Sequence, residues 1–180
     1  MSEIYFSIDI EADGPIPGPY SMLSLGCVAF NANGDELGDF EVNFDTLADA
    51  KTDPDTDKFW ARFPEAYAET RIDTKGPEAA MILFDLFVRS IKGKPVFVGY
   101  PAGFDFTFVY WYFMKFLGQS PFSFSSLDMK SYAMAKLNTT FRDSTKKNFP
   151  KRWKEKGTHT HVAVEDAREQ GRMFIKMLKE

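Results

Sequence analysis

The stretch Ile4-Tyr5-Phe6-Ser7-Ile8-Asp9-Ile10-Glu11 decides how the rest of the chain is read. Ile4, Phe6, Ile8 and Ile10 fall on one side of a period-two alternation, and Tyr5, Ser7, Asp9 and Glu11 fall on the other, as in a strand. Asp9 and Glu11 then share a face, roughly 6.5–7 Å apart at their Cα atoms. Two anions held side by side repel, so a fold that keeps them together usually supplies a cation. The alternative is a strand end fraying into solvent, where acids cost little. This stretch alone leaves both readings open.

Composition narrows the class. At 180 residues the chain is long enough for one domain, residues 1–180, with a substantial core. A hydrophobic fraction of 44% and 19 phenylalanines exclude a disordered chain and forecast a ring-rich interior. The single cysteine, Cys27, can form no intrachain disulfide and no zinc-type cluster, which suits a reducing compartment. Met1-Ser2-Glu3 has no basic leader character, and no apolar run nears the roughly 18 residues of a membrane span. A soluble, cytoplasmic protein with no membrane partner is therefore expected. The net charge of −4 argues against a nucleic-acid binder, but its distribution does not. Residues 142–156 carry seven basic side chains against two acids, a net +5 on a body of −9.

Outward from the first strand, residues 12–19 hold too many glycines and prolines for helix or central strand, and are read as a loop crossing the mouth of the site. Residues 21–32 form a long apolar strand, Asn33-Gly34 a turn, and residues 36–44 a returning strand, so an antiparallel meander is expected. Asp53-Pro54 opens a helix by N-cap acid and first-turn proline, with Phe59, Trp60 and Phe63 on one stripe. Residues 77–92 form a second helix with Ala80, Leu83, Phe84, Phe87, Val88 and Ile91 inward. Residues 95–100 read as a short strand buried on both faces, and 104–117 as a central helix ending at Gly118. Residues 127–137 form a helix with Asp128 as cap, 138–160 a mobile loop, and 161–179 a closing amphipathic helix. Strands followed by helices interleaved with a parallel strand give an α/β class, a mixed sheet flanked by helices.

Two further acids stand out. Asp105 enters an otherwise apolar helix; a plain N-terminal acid favoured by the helix dipole would look the same. Asp166 lies five residues after His161, too far round for an i,i+4 pair, and a solvated acid beside a surface histidine is the bland reading.

Taken together, Asp9-Ile10-Glu11, Phe104-Asp105 and His161-x-Ala163-x-x-Asp166-Ala167 resemble motifs I, II and III of the DEDDh 3′–5′ exonucleases. This is the superfamily of the DnaQ proofreading subunit, ribonuclease T and oligoribonuclease, and it implies a ribonuclease H-like fold. The sister DEDDy group would place tyrosine at position 162, which is valine here. Asp53-Pro54-x-Thr56 through Trp60, and Leu127-Asp128, look like the short stand-alone exoribonucleases of the mycobacterial and phage type. Two positions depart from the pattern. Ala12 stands where many relatives carry threonine, and Pro101-Ala102-Gly103 where many carry asparagine or histidine before the second motif.

The resemblance implies a metal-dependent 3′–5′ exonuclease, expected to be an exoribonuclease, that releases nucleoside monophosphates. Asp9, Glu11, Asp105 and Asp166 would hold two divalent ions, Mg²⁺ or Mn²⁺, which prefer oxygen ligands. His161 would be the general base, its ordinary pKa of about 6.5 suiting neutral pH. His159 is its rival, at a spacing that does not match the motif. Ser21, Met22 and Leu23 are implied to lie against the terminal nucleotide, with Phe104 on a sugar or base and Trp60 nearby; core packing is the competing role for each. The basic 142–156 segment would meet phosphates. The expected partner is single-stranded or 3′-overhanging RNA, with DNA as the alternative, and relatives suggest a homodimer. Two other functions compete: a catalytically silent nucleic-acid-binding module on the same fold, and an endonuclease of the ribonuclease H kind.

Overall fold

The fold is a computed structural model that describes residues 2–155 and 161–180. Lys156 and His159 lie outside the described residues. β1 (Glu3–Ala12), β2 (Met22–Asn31) and β3 (Glu36–Asn43) form the expected antiparallel meander. Gly34 closes the β2–β3 turn at a φ of +86°, a conformation that favours glycine, and donates its N–H to the Asn31 carbonyl.

α1 (Pro54–Trp60) starts where Asp53 accepts the amides of Asp55 and Thr56 at 3.1 and 3.0 Å. It is followed by α2 (Pro64–Glu69) and α3 (Pro77–Ser90). β4 (Lys94–Gly99) then runs parallel to β1. α4 (Ala102–Tyr112) continues through a wider π-helical turn, Phe113–Leu117, and stops at Gly118 with φ +68°. A two-residue strand, β5 (Leu127–Asp128), joins β4 before α5 (Met129–Leu137), and α6 (Ala163–Leu178) closes the chain. The sheet order is β3-β2-β1-β4-β5. β1 is thus central, with an antiparallel neighbour on one side and a parallel one on the other. This mixed sheet with helices on both faces is ribonuclease H-like.

The alternation in β1 divides the core. Ile4, Phe6, Ile8 and Ile10 pack with α3 and α4 on one face, among Phe84, Phe97, Phe108 and Tyr112. Tyr5, with Val28 and Phe30 from β2, packs on the other face with α5 and α6. β2 is covered on both sides, buried from Met22 to Phe30. Among the described residues no helix is long and apolar enough to cross a membrane.

Several expected elements differ. The ring stripe does not lie on one helix: Phe59 and Trp60 are in α1, whereas Phe63 falls in the break before α2, where proline at 64 excludes it from helical geometry (φ −130°, ψ 58°). Met81 is buried in α3, whereas Leu83 is 41% exposed. Asp128 caps α5 by accepting the Ser131 amide, but from inside β5 rather than from a longer helix. The segment read as a mobile loop is anchored as far as residue 155. Phe149 and Trp153 are buried in the α6-side core, and Lys146–Asn148 forms a 3-10 turn. The closing helix begins at Ala163, not His161.

Candidate active site

The chemistry-bearing side chains converge at the C-terminal end of β1. Asp9 and Glu11 are half-buried on the α6 side of the sheet, in register with Gly26 and Ser24 of β2. Past Glu11 the β1–β2 register shifts, and the strand ends at Ala12, whose carbonyl accepts the Trp60 indole N–H at 3.0 Å. Parallel pairing of β1 with β4 ends earlier, at Ser7–Val98. Beyond that point side chains take the place of the missing strand. Asp105 Oδ1 accepts the Ile10 amide at 3.1 Å, and the Gln170 side-chain amide donates to the Ile8 carbonyl at 2.8 Å.

Asp105 stands in the first turn of α4 and Asp166 in the first turn of α6, only 4% and 3% exposed. Each therefore sits at the positive end of a helix dipole. α6 reaches the sheet because β2 carries glycine opposite Asp9. A Cβ at Gly26 would stand 2.1 Å from the Val164 nitrogen. His161 precedes the helix in the left-handed region (φ +56°), which favours glycine, so its backbone is strained at the point where the motif needs it. Its amide donates to Asp166 Oδ2 at 2.9 Å. Its ring packs between Phe59 and Phe63, with centroids 5.2 and 4.4 Å away. Side-chain ligand atoms of Glu11, His161 and Asp166 all fall within 4.8 Å of one another.

Burial and mutual repulsion raise the acids. Asp9 is pushed well above the usual carboxylate range by desolvation, then by Asp105, Glu11 and Asp166. Glu11 rises to about 8 through desolvation and the charges of Asp166 and Asp105. Asp105 rises to about 7 through desolvation, tempered by the Ile10 amide and by Lys146. Lys146 also draws Asp9 downward. The Lys146 ammonium is held 3.2 Å from Glu169 on α6 and 5.5 Å from the centre of the Tyr100 ring. Such a cluster of crowded oxygen donors with one imidazole suits a hard divalent cation, whose charge relieves the repulsion.

The residues proposed for substrate are placed less uniformly. Ser21, Met22, Leu23 and Trp60 are buried, and Phe104 is 39% exposed. Ser21 is tied down twice, its amide to Asp13 Oδ1 and its hydroxyl to the Leu47 amide, while the Met22 amide donates to the Tyr112 hydroxyl at 2.8 Å. Sequence reasoning did not single out Lys146, the Phe59–Phe63 ring pair around His161, or Gln170. Phe59 and Phe63 carried a signal in their helical spacing; Lys146 was one of seven cations, and Gln170 carried none.

A mixed sheet whose central strand delivers two carboxylates to two helix-borne aspartates and a histidine defines a nuclease of the ribonuclease H-like class. No protein-family model matches the chain. The chain is 33% identical over 179 residues to the 3′–5′ DNA exonuclease Cap18 of Escherichia coli, an alignment covering 96% of this chain and 90% of the relative. The nuclease domain of 3′hExo, a DEDDh family member bound to rAMP, superposes with a TM-score of 0.69 at 10% identity, covering 99% of this chain and 92% of its own. The Mg²⁺- and Mn²⁺-bound form of S. pombe Pop2p superposes with a TM-score of 0.63 at 14% identity, covering 95% and 81%. The chain belongs to the DEDDh family of 3′–5′ exonucleases.

Proposed function

We propose that this protein removes nucleotides one at a time from the 3′ end of single-stranded or 3′-overhanging nucleic acid, releasing nucleoside monophosphates. The observation that carries the reading is the convergence of Asp9, Glu11, Asp105 and Asp166 with His161 at one strand end. Asp9, Glu11, Asp105 and Asp166 would hold two divalent ions. When bound, such ions supply charge neutralisation at the scissile phosphate and acidify the attacking water.

The chain's own groups do the rest. His161 takes the proton from the attacking water, and its ring is steered to that task by Phe59 and Phe63. Asp166, by accepting the His161 amide, fixes the backbone from which the ring projects. Lys146 offers a cation beside the carboxylates for a substrate phosphate. The exposed Phe104 ring, next to Asp105, offers a face on which a base of any identity can stack. Ser21, Met22 and Leu23 act through the backbone they place behind the terminal nucleotide, and Trp60 by fixing Ala12 beside Glu11.

DNA is the substrate supported by the relative that matches nearly the whole chain, itself a DNA exonuclease. RNA is the second reading, favoured by the Asp53-to-Trp60 and Leu127-Asp128 stretches. Parallel degradation of a DNA and an RNA oligonucleotide of one sequence, with Mn²⁺ and with chelator, separates them. Faster loss of DNA supports the first reading, and faster loss of RNA replaces it with the second. A homodimer in the cytoplasm is part of the proposal, supported by Ile82, Leu83 and Leu86 exposed on α3. Light scattering that gives the mass of one protomer at micromolar concentration rejects it.

A further inference from the structure

Gln170 is an amide side chain 1% exposed in the middle of the helix that carries Asp166. It is four residues after Asp166 and so lies on the same face, one turn along. Its Nε2 donates to the Ile8 carbonyl at 2.8 Å. A carbonyl only accepts, so the NH₂ end must face it. Ile8 precedes Asp9 directly, and its carbonyl lies just past the last β1–β4 pair, Ser7–Val98. A backbone acceptor buried there needs a partner, and the sheet no longer supplies one.

Elsewhere α6 meets β1 and β2 through close apolar contacts, and β3 through ion pairs at the sheet's edge, Arg168 with Glu36 and Asp39 and Arg172 with Glu36. A Cβ at Gly171 would stand 2.3 Å from the Phe30 ring and 2.9 Å from Ser7 Cβ. Ala167, Met173 and Phe174 pack in the same cluster as Val28 and Phe30 of β2. Apolar contacts set how close the helix lies and have no direction, and ion pairs with solvent-facing partners are weak, so neither fixes the position of Asp166 along β1 as a buried hydrogen bond does. A hydrogen bond is directional. We propose that Gln170 is a positioning residue that sets the register of Asp166 against Asp9, and with it the spacing of the carboxylates that take the metal.

The inference rests on the nuclease reading only for which reaction is affected; the metal response can be read without turnover. The variant Gln170→Met keeps length and bulk but removes the donor. Met173→Ala, on the same helix and also buried, is the control for simple loss of packing. The probe is Mn²⁺ alone, titrated while the melting temperature is followed, and separately while oligonucleotide hydrolysis is followed. For Gln170→Met the Mn²⁺ midpoint should rise by roughly tenfold, the lower end of the cost of losing a group bonded directly to a metal ligand, because Gln170 acts one step further back, with KM for the oligonucleotide nearly unchanged. Met173→Ala should lower the melting temperature and leave the midpoint in place. If Gln170→Met does not fold, Gln170→Asn, one methylene short of Ile8, should show the same direction of shift. A wild-type midpoint in the Gln170 variant, or midpoints that follow melting temperature alike in both variants, overturns the proposal. Wild-type protein that responds to Mn²⁺ but hydrolyses nothing overturns the nuclease reading instead, and the melting midpoints still decide the role of Gln170.

Discussion

The backbone amide of His161 donates to Asp166 Oδ2 at 2.9 Å, so the histidine that precedes α6 is tied to a carboxylate in the first turn of that helix. The ring packs against Phe59 and Phe63. His161→Ala keeps that backbone donor and removes only the imidazole. Hydrolysis should fall by roughly 10²–10⁴-fold, with Mn²⁺ binding and oligonucleotide binding close to wild type. Asp105→Asn keeps an acceptor for Ile10 but loses a charge, so it should weaken the Mn²⁺ response as well as turnover. Metal titrations followed by melting temperature distinguish the two. Equal loss of metal response in both variants contradicts the separation of base from ligand.

The raised acids make stability depend on pH in metal-free protein. Glu11 titrates near 8 in the folded state against an ordinary value of 4.5, and Asp105 near 7 against 3.8. The folded chain therefore holds protons more tightly than the unfolded one between those limits. The stability this contributes is fully present below about pH 4 and is lost as pH rises through 7 and 8. In chelator the melting temperature should fall from pH 5.5 to pH 8.5. Added Mg²⁺ or Mn²⁺ should stabilise more strongly at the higher pH, because ligation displaces those protons. A melting temperature that climbs over this range in chelator contradicts the crowding of the four acids.

Gly26 tests how the helix reaches the strand. Its Cα faces the Ala163–Val164 peptide so closely that Gly26→Ala puts a methyl about 2.1 Å from backbone. Backbone cannot turn aside as a side-chain tip can, so α6 must lift. A loss of ~1–3 kcal/mol in urea unfolding is expected from overpacking. Activity at equal folded fraction should also fall, because His161 and Asp166 move with the helix. Unchanged activity in the folded variant contradicts a tight coupling of this contact to the site.

Much of this site was legible from residues because its parts are local signals. The alternation through Ile10 announced a strand, and the two acids on its polar face left a cation site and a frayed strand end both open until the motifs at 104–105 and 161–167 were read with them. Asp53-Pro54 and Gly118 marked helix ends through backbone restrictions that do not depend on context. The parts that were not legible are made by distant contacts. Trp153 and Phe149 sit among lysines, and only packing against α5 and α6 turns that polar stretch into ordered chain. β5 is two residues long, too short for any periodicity, and exists because β4 offers an edge. Leu83 and Met81 exchange places because a shift of one or two positions along α3 decides which apolar side chain faces the sheet. Gln170 reads as an ordinary polar helix residue until the Ile8 carbonyl is found without a strand beside it.

The central claim is directional hydrolysis from a 3′ end. Its most direct measurement uses a single-stranded DNA oligonucleotide labelled at the 5′ end, sampled over time with Mn²⁺ and with chelator, and repeated with the 3′ end blocked by a terminal phosphate. The expected result is a ladder shortening one nucleotide at a time from the 3′ end, mononucleotide as the released product, slowing at the blocked end, and no reaction in chelator. Internal cuts at the earliest times, cleavage indifferent to the blocked end, or binding without hydrolysis of DNA and RNA alike in saturating Mn²⁺ would contradict it.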